Sequence, residues 1–183
     1  EQLPSDAEEL YDNVLEIYNS SRKAKEIIAR LSDLSRKNTS LTFQYVSPDE
    51  LVRKVLAVAS PARPPHVEVR TDLACRHLWL RGNEIQLSQM LLNLILNAYH
   101  AMEPGGGTLT VATRPEGEFL CFQVSDTGSG ISPEVLPHIF EPFFTTKERG
   151  KGTGLGLAIV RQVMEEHKGT IAIDTAPVSY THI

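Results

Sequence analysis

The stretch "NEIQLSQMLLNLILNAYHAM", residues 83–102, predicts a strong amphipathic helix. Its apolar residues recur three and four positions apart, as they do on a helix with one buried face. The residues expected to be buried are Leu87, Met90, Leu91, Leu94, Ile95 and Ala98. Asn93 and Asn97 lie four residues apart and therefore share one face beside that stripe. Because asparagine is only a middling helix former, the pair needs an explanation.

Two explanations for the asparagine pair stay open at this point. The side chains could merely hydrogen-bond to neighbouring backbone. Alternatively, an amide oxygen is a hard ligand that suits Mg²⁺ bound to phosphate oxygens, so Asn93 and Asn97 are candidate ligand-binding residues.

The segments around this helix alternate between strand-like and helix-like patterns. Strands are predicted at 41–46, 66–71, 77–81, 108–113, 119–126 and 169–174, and further helices at 47–59 and 155–168. Ser47 and Glu50 form the pattern of a capping box at the start of the first of these helices. The order of elements predicts an α+β fold, a two-layer sandwich with helices on one face of a mixed sheet.

Residues 5–37 predict a long helix outside this sandwich. Ser5 and Glu8 form a capping box, and apolar residues then recur at heptad spacing from Leu10 to Leu31. Such a narrow seam is typical of a helix that packs along another helix. The alternative is an amphipathic helix lying on its own domain. We therefore predict a heptad-patterned helix within 1–40 and a globular domain at 41–183.

Bulk composition narrows the class of protein. A chain of 183 residues that is 41% hydrophobic and 22% charged is typical of a folded globular protein. Its net charge of −5 makes nucleic acid a poor default partner. Cys75 and Cys121 lack metal-ligand spacing and suggest a reducing compartment. Without a signal peptide or a long apolar run, we expect a cytoplasmic piece with no membrane contact, whose parent protein could be anchored elsewhere.

The stretch "ERGKGTGLGLAI", residues 148–159, has a glycine at every second position from 150 to 156. Glycines let backbone N–H groups approach an anion, and the helix that follows adds its positive end. The run matches neither common phosphate motif, because G-x-G-x-x-G fails at Leu157 and the P-loop fails at Gly152. We predict a phosphate-binding loop, with a flexible linker as the alternative.

The stretch "DTGSG", residues 126–130, follows an apolar strand. Asp126 at the end of a strand could accept a hydrogen bond from an exocyclic amine, such as that of adenine. An ordinary turn is the alternative, because Asp-x-Gly is common turn chemistry.

The stretch "IFEPFFTTK", residues 139–147, places three aromatic residues in a segment otherwise rich in glycine and proline. Phe140, Phe143 and Phe144 could anchor a mobile lid to the core. Cations then follow at Lys147, Arg149 and Lys151.

In this order the four motifs resemble the catalytic, ATP-binding domain of sensor histidine kinases. These belong to the GHKL superfamily, together with gyrase, heat-shock chaperone and mismatch-repair ATPases. The resemblance covers roughly residues 41–174, and "EPFFTTK" with a short lid is most similar to the nitrogen-regulatory branch. It implies binding of ATP and ADP with Mg²⁺. It also implies transfer of the γ-phosphoryl group to a histidine, then to an aspartate of a response regulator receiver domain.

The resemblance also implies a role for individual residues. Asn97 is the implied Mg²⁺ ligand, Asn93 lies beside it, and these two are the implied catalytic residues. Asp126 is the implied adenine-reading acid. The remaining implied nucleotide contacts are His100, Gly128, Gly130, Ile131, Phe144, Lys147, Gly152, Thr153, Gly154, Leu155, Gly156 and Leu157.

One position separates the kinases from the water-using ATPases of the superfamily. Those ATPases place a glutamate general base four residues before the metal-binding asparagine, where this chain has Asn93. An amide cannot take a proton from water at neutral pH, which favours transfer to a side chain over hydrolysis. A nucleotide-binding interaction module, or an anti-sigma-type kinase without histidine transfer, is the alternative.

The chain departs from the kinase pattern at both ends. No histidine is followed by an acidic residue in a helix, so we expect a fragment without the phosphoacceptor. Its N-terminal helix resembles the second dimerisation helix, which implies a homodimer. The end, "TAPVSYTHI", lacks the usual Gly-Thr-x-Phe, so the final strand is expected to be incomplete or altered.

Overall fold

The structure is a computed structural model. It describes residues 10–11, 13–14, 42–103, 105–147, 152–175 and 179–182. The chain divides into two compact units, which are described separately. Unit 1 comprises Glu1–Thr39 and Thr146–Thr153, and unit 2 comprises Ser40–Thr145 and Gly154–Ile183.

Of the heptad helix predicted in unit 1, only residues 10, 11, 13 and 14 are described. Their backbone is helical, and the side chains of Leu10, Tyr11 and Val14 are exposed. The rest of that prediction lies outside the described residues.

Unit 2 contains three helices and seven strands within its described residues. The helices are α1 (Pro48–Ala59), α2 (Glu84–Met102) and α3 (Gly156–Glu166). The strands are β1 (Gln44–Val46), β2 (Val67–Leu73), β3 (Leu80–Gly82), β4 (Gly107–Glu116), β5 (Phe119–Asp126), β6 (Ala172–Thr175) and β7 (Ser179–His182). Short 3₁₀ turns occur at Ser60–Ala62 and Leu136–His138. Most predicted elements are present, with bounds shifted by one to three residues.

The strands form two sheets. Strands β1 and β3 make a two-stranded antiparallel ribbon, and the main sheet has the order β2-β4-β5-β7-β6. Strand β2 runs parallel to β4, and the other neighbours are antiparallel, so the predicted mixed sheet is confirmed. Residues 179–182 pair with both β5 and β6. The last strand therefore forms without the Gly-Thr-x-Phe sequence, since backbone pairing does not require those side chains.

Helix α2 contributes a large share of the core. All six residues expected to be buried are buried, and Tyr99 and Met102 join them. They share the core with Leu109 and Val111 of β4 and with Val160 of α3, each of which is fully buried. Each such apolar side chain contributes about 1.5–3 kcal/mol by leaving water. This core packs α2 against the sheet and against α3, and α2 carries the asparagine pair.

The predicted capping box of α1 is wrong. Ser47 occupies the N-cap position, but its side chain caps no backbone group of the described residues. Asp49, in the first turn, is instead turned into the core, where Oδ1 accepts hydrogen bonds from the Thr113 hydroxyl (2.6 Å) and the Cys75 N–H (3.2 Å). Helix α2 does have a side-chain cap, because Asn83 Oδ1 accepts from the N–H groups of Ile85 and Gln86.

Two further findings concern the predictions made from the overall composition, on the cysteines and on membrane-spanning segments. Cys75 and Cys121 are both buried, and neither forms a disulfide. Within the described part of the chain, no helix has both the length and the apolar character needed to cross a membrane.

Candidate functional site

Asn93 and Asn97 of α2 face the start of α3. A Cβ atom built on Gly156, the first residue of α3, would lie 3.7 Å from Asn93 Oδ1 and 3.8 Å from Asn97 Nδ2. Helix α3 has 11 residues and no side-chain cap at its N-terminus. The first N–H groups of a helix carry its positive partial charge and attract anions. The asparagine pair therefore lies beside an anion-attracting helix end.

Asn93 carries an unsatisfied donor at this place. Its Nδ2 atom is buried and has no hydrogen-bond partner among the described residues. A buried donor left unpaired costs about 1–3 kcal/mol, so structures normally pair such groups. An acceptor oxygen from outside the described residues would satisfy it.

The loop after β5 rests on the same helix, one turn beyond Asn97. A Cβ on Gly128 would lie 2.7 Å from backbone atoms of Ala101, and the Ser129 N–H donates to the Ala101 carbonyl at 3.2 Å. Only glycine allows this approach, and Gly130 adds a left-handed φ of 67°. The contact brings Asp126 and Asn97 to one end of α2.

Asp126 is the last residue of β5 and is half-buried. Its Oδ1 accepts a hydrogen bond from the Gly128 N–H at 2.9 Å. Burial raises the pKa of the Asp126 carboxyl above its ordinary value, and the Gly128 hydrogen bond opposes part of that rise. A partly desolvated carboxylate with one local donor is a strong acceptor for a ligand N–H.

The aromatic segment meets the glycine run through the backbone. The Phe143 N–H donates to the Gly154 carbonyl at 2.9 Å, and a Cβ on Gly154 would lie 2.3 Å from the Phe143 carbonyl carbon. Gly154 has a φ of 66°, so glycine is required there for both reasons. Leu155 is buried directly behind this contact.

The expectation that all three phenylalanines anchor the segment to the core is wrong for Phe143. Its side chain is 59% exposed, because a left-handed backbone (φ of 70°) and the bond to Gly154 hold the residue at the surface. Phe140 and Phe144 are half-buried, and the Phe144 ring lies 5.5 Å from that of His138. The buried anchor of the segment is Ile139, which sequence reasoning did not single out.

The other predicted contacts are distributed as follows. The Ile131 carbonyl accepts from the Thr175 hydroxyl at 2.7 Å, and Leu157 is half-buried in the first turn of α3. His100 is exposed, and its Nδ1 bonds to the Leu96 carbonyl of its own helix. Lys147, Gly152 and Thr153 belong to unit 1, so their place in a site stays a prediction.

Sequence reasoning missed two residues that hold this site together. Ala101 seats the Asp126 loop, and its only signal is a small residue one turn after Asn97. His167 links the end of α3 to the start of α2, because its Nε2 accepts from the Asn83 N–H (3.0 Å) and its Nδ1 lies 2.8 Å from the Val163 carbonyl. Both ring nitrogens are thus used by the fold.

Comparison with protein families agrees with this geometry. The family model "Histidine kinase-, DNA gyrase B-, and HSP90-like ATPase" matches residues 82–183, more than half of the chain. The chain belongs to this ATPase family. The match includes α2, the Asp126 loop and the glycine run, so the family named from the four motifs is confirmed.

Two curated relatives of this ATPase-family chain are named as sensor kinases. It is 33% identical to the sensor kinase CckA of Brucella abortus (strain 2308) over 181 residues, which is 90% of this chain and 19% of CckA. It is 34% identical to the sensor histidine kinase ZraS of Klebsiella oxytoca over 182 residues, 97% of this chain and 38% of ZraS. The chain therefore spans well under half the length of these relatives.

A solved structure has the same fold. Full-length ShkA in complex with AMPPNP superposes with a TM-score of 0.75 at 25% identity, over 100% of this chain and 39% of ShkA. The predicted sandwich and its identification as the ATP-binding catalytic domain of a sensor histidine kinase are confirmed.

Proposed function

We propose that this chain binds Mg²⁺–ATP in unit 2 and positions its γ-phosphoryl group for transfer to a histidine. The observation that carries this proposal is the buried, unpartnered Nδ2 of Asn93 beside the N-terminus of α3. A buried amide donor on α2 next to the N-terminus of α3 suits phosphate oxygens. ShkA, which shares the fold, was solved with the ATP analogue AMPPNP.

In this proposal Asp126 recognises the base. Its half-buried carboxylate accepts the exocyclic amine of adenine, while Gly128 seats the Asp126 loop on Ala101 and Gly130 provides its left-handed turn. The distinction from guanine follows because guanine presents a carbonyl where adenine presents its amine. Two acceptors would then face each other without a proton between them.

Asn97 is the proposed magnesium ligand. Among the described residues no group of three or more His, Cys, Asp or Glu side chains could hold a metal. Asn97 alone suits Mg²⁺, because this ion takes few protein oxygens and completes its coordination shell with water and phosphate oxygens. Bound Mg²⁺ would neutralise negative charge on the phosphate groups. His100, Lys147, Gly152 and Thr153 are proposed as nucleotide contacts on the resemblance alone.

Transfer to a side chain, rather than to water, is proposed because position 93 holds an amide and no general base. CckA and ZraS are named as sensor kinases, which supports a phosphorelay to a response regulator receiver domain. We further propose that the acceptor histidine lies outside these 183 residues. The heptad helix within 1–40 would mediate a cytoplasmic homodimer, with Leu10 and Val14 on its seam.

Titration calorimetry tests the nucleotide site. We expect ATP to bind more tightly with Mg²⁺ than with EDTA, and Asn97→Ala and Asn97→Asp to weaken or remove that difference. Asn13→Ala, at an exposed helical position in unit 1, serves as the control and should bind like the original chain. Unchanged ATP affinity in both Asn97 variants would refute the assignment.

Incubation with γ-labelled ATP tests the transfer proposal. We expect at most slow phosphate release and no acid-labile label on this chain, since none of its six histidines lies in an acceptor motif. Acid-labile label on any of them would contradict the proposal.

A further inference from the structure

The His167 side chain joins the end of α3 to the start of α2. The residue directly follows α3 and is half-buried. Its Nδ1 lies 2.8 Å from the Val163 carbonyl of its own helix, and its Nε2 lies 3.0 Å from the Asn83 nitrogen. A carbonyl can only accept a hydrogen bond, so Nδ1 carries the ring proton and the bare Nε2 accepts from the Asn83 N–H. The neutral ring therefore spans the two helix ends with two directed hydrogen bonds.

Two neighbours restrict the His167 ring further. The ring of Phe43, just before β1, has its centroid 4.9 Å from that of His167. Gly82, the last residue of β3, lies so close that an added Cβ atom would be 3.1 Å from Cδ2 and 3.2 Å from Nε2 of the ring. A larger residue at position 82 would push the ring away from Asn83. Hydrogen bonds and packing together thus hold the ring in one orientation, as a side chain that positions others requires.

A second polar contact ties the same two helix ends together. Glu166, the last residue of α3, accepts hydrogen bonds from the side-chain amides of Gln86 and Gln162. Gln86 lies in the first turn of α2, whereas Gln162 lies one turn earlier on α3. We call Asn83, Gln86, Glu166 and His167 the helix-end joint.

The helix-end joint and the proposed nucleotide site lie at opposite ends of α3. The first residue of α3, Gly156, lies against Asn93 and Asn97 of α2. Between the two ends, α3 is held by buried apolar side chains such as Val160 and Val163. Apolar burial is non-directional, whereas a hydrogen bond requires a defined distance and angle. The joint therefore adds a fixed reference for the position of α3 along α2.

We propose that His167 is a positioning residue for the nucleotide site, an inference that rests on the proposed function. By holding α3 at one place along α2, the ring keeps the first N–H groups of α3 beside Asn93 and Asn97, where phosphate is proposed to bind. Helix α3 has 11 residues, so His167 is about 16 Å from Gly156 along the axis and acts without contacting the nucleotide. Its loss should weaken contacts to phosphate and leave recognition of adenine by Asp126 unchanged.

A merely structural role for His167 gives a different expectation. If a substitution only lowered the stability of unit 2, the apparent affinities for ATP and for adenosine would fall together, because both ligands bind the folded state. If His167 positions α3, ATP is weakened and adenosine, which has no phosphate, is not. The ratio of the two affinities therefore separates positioning from stability.

NMR titrations of the isotope-labelled chain with Mg²⁺–ATP and with adenosine measure that ratio. His167→Phe keeps an aromatic ring against Phe43 but cannot accept from the Asn83 N–H. We expect it to weaken ATP about three- to tenfold and to change adenosine less than about twofold. His77→Phe, at an exposed histidine, is the matched control and should bind like the original chain. If His167→Phe does not fold, His167→Ala removes the same acceptor without added bulk and carries the same expectation.

A conservative variant tests the accepted hydrogen bond itself. In His167→Gln the side-chain oxygen lies as many bonds from Cβ as Nε2 does, so it can accept from the Asn83 N–H. We expect this variant to recover most of the ATP affinity that His167→Phe loses. In the original chain, nitrogen NMR of labelled histidine should show a protonated Nδ1 and a bare Nε2 for His167. A proton on Nε2 would show that the bond to Asn83 is absent and would overturn the proposal.

Three results of the titrations would also overturn it. An unchanged ATP-to-adenosine ratio in His167→Phe, with ATP bound by the original chain, would refute the positioning role and leave the proposed function standing. A ratio in His167→Gln no closer to the original than that of His167→Phe would show that the accepted hydrogen bond does not position α3. Absence of ATP binding by the original chain would refute the proposed function and this role with it.

Discussion

The fold buries two aspartates of unit 2, Asp49 and Asp126, to different degrees. Their hydrogen-bond partners also differ. Asp49 is 1% exposed, and its Oδ1 accepts from Thr113 and Cys75, which lie 64 and 26 residues away in the sequence. Asp126 is half-buried, and its Oδ1 accepts from Gly128, two residues away. Donors from distant segments make a carboxylate part of the framework. Asp49 Oδ2 has no partner among the described residues but is buried, whereas Asp126 is half-buried, so a ligand can reach its carboxylate.

The largest expected effect is on the framework aspartate. Asp49→Ala leaves the Thr113 hydroxyl and the Cys75 N–H without their acceptor. Each buried group that loses its partner costs about 1–3 kcal/mol, so the free energy of unfolding should fall by about 2–5 kcal/mol. Urea unfolding followed by circular dichroism measures it. Asp174→Ala, at an exposed position, is the control. If Asp49→Ala lowers the free energy of unfolding no more than this control does, Asp49 is not part of the framework.

Asp126→Asn should weaken ATP binding and leave stability nearly unchanged. The amide keeps an oxygen but loses the charge that strengthens the bond to adenine. We expect ATP affinity to fall ten- to a hundredfold, which corresponds to about 1.5–3 kcal/mol, with little change in stability. Calorimetry with Asp174→Asn as the matched control measures this. Equal binding of GTP and ATP by the original chain would disprove the role of Asp126.

A pair of glycine substitutions separates seating of the loop from contact with the ligand. Gly128→Ala places a methyl group 2.7 Å from the Ala101 backbone, so it should destabilise unit 2 by about 1–3 kcal/mol. Gly156→Ala places its methyl group 3.7–3.8 Å from Asn93 and Asn97, an ordinary contact. It should change stability by less than about 1 kcal/mol and weaken ATP several-fold.

Thermal unfolding and calorimetry on the two glycine variants would check this. Equal stability of both variants would show that the Gly128 approach to Ala101 is not tight. Unchanged ATP affinity in Gly156→Ala would show that the ligand does not occupy the space beside the asparagine pair.

The smallest expected effect is a pH dependence of stability that comes from Asp126. Burial raises the pKa of Asp126 above 3.8, so the folded state binds this proton more tightly than the unfolded state. The resulting stabilisation is fully present below pH 3.8 and is lost as the pH rises through the raised pKa. Asp126→Asn has no such proton and should be slightly more stable than the original chain at pH 7. Urea titrations from pH 4 to 7 should show that the difference in unfolding free energy between Asp126→Asn and the original chain becomes smaller on acidification. A difference that does not change with pH would contradict this.

Much of the fold could be predicted because its signals are local. The burial of Leu87, Met90 and Ile95 follows from helical spacing alone, and the structure agrees at each position. The β4–β5 hairpin likewise follows from two neighbouring strand patterns. The capping box at Ser47 was wrong because a cap depends on where the first turn packs, and Asp49 is drawn into the core by partners that no local pattern reveals.

The chain by itself determined which chemical groups a site can use: two amides on one helix face, a carboxylate at a strand end, and glycines before a helix. Only the tertiary structure decided which of them meet. Gly156 lies against Asn93 and Asn97, Gly128 against Ala101, and Tyr45 shares a pocket with Trp79. The reason is that helical and strand periodicity acts over a few residues, whereas these contacts join segments about 30–60 residues apart that only burial of a common core brings together.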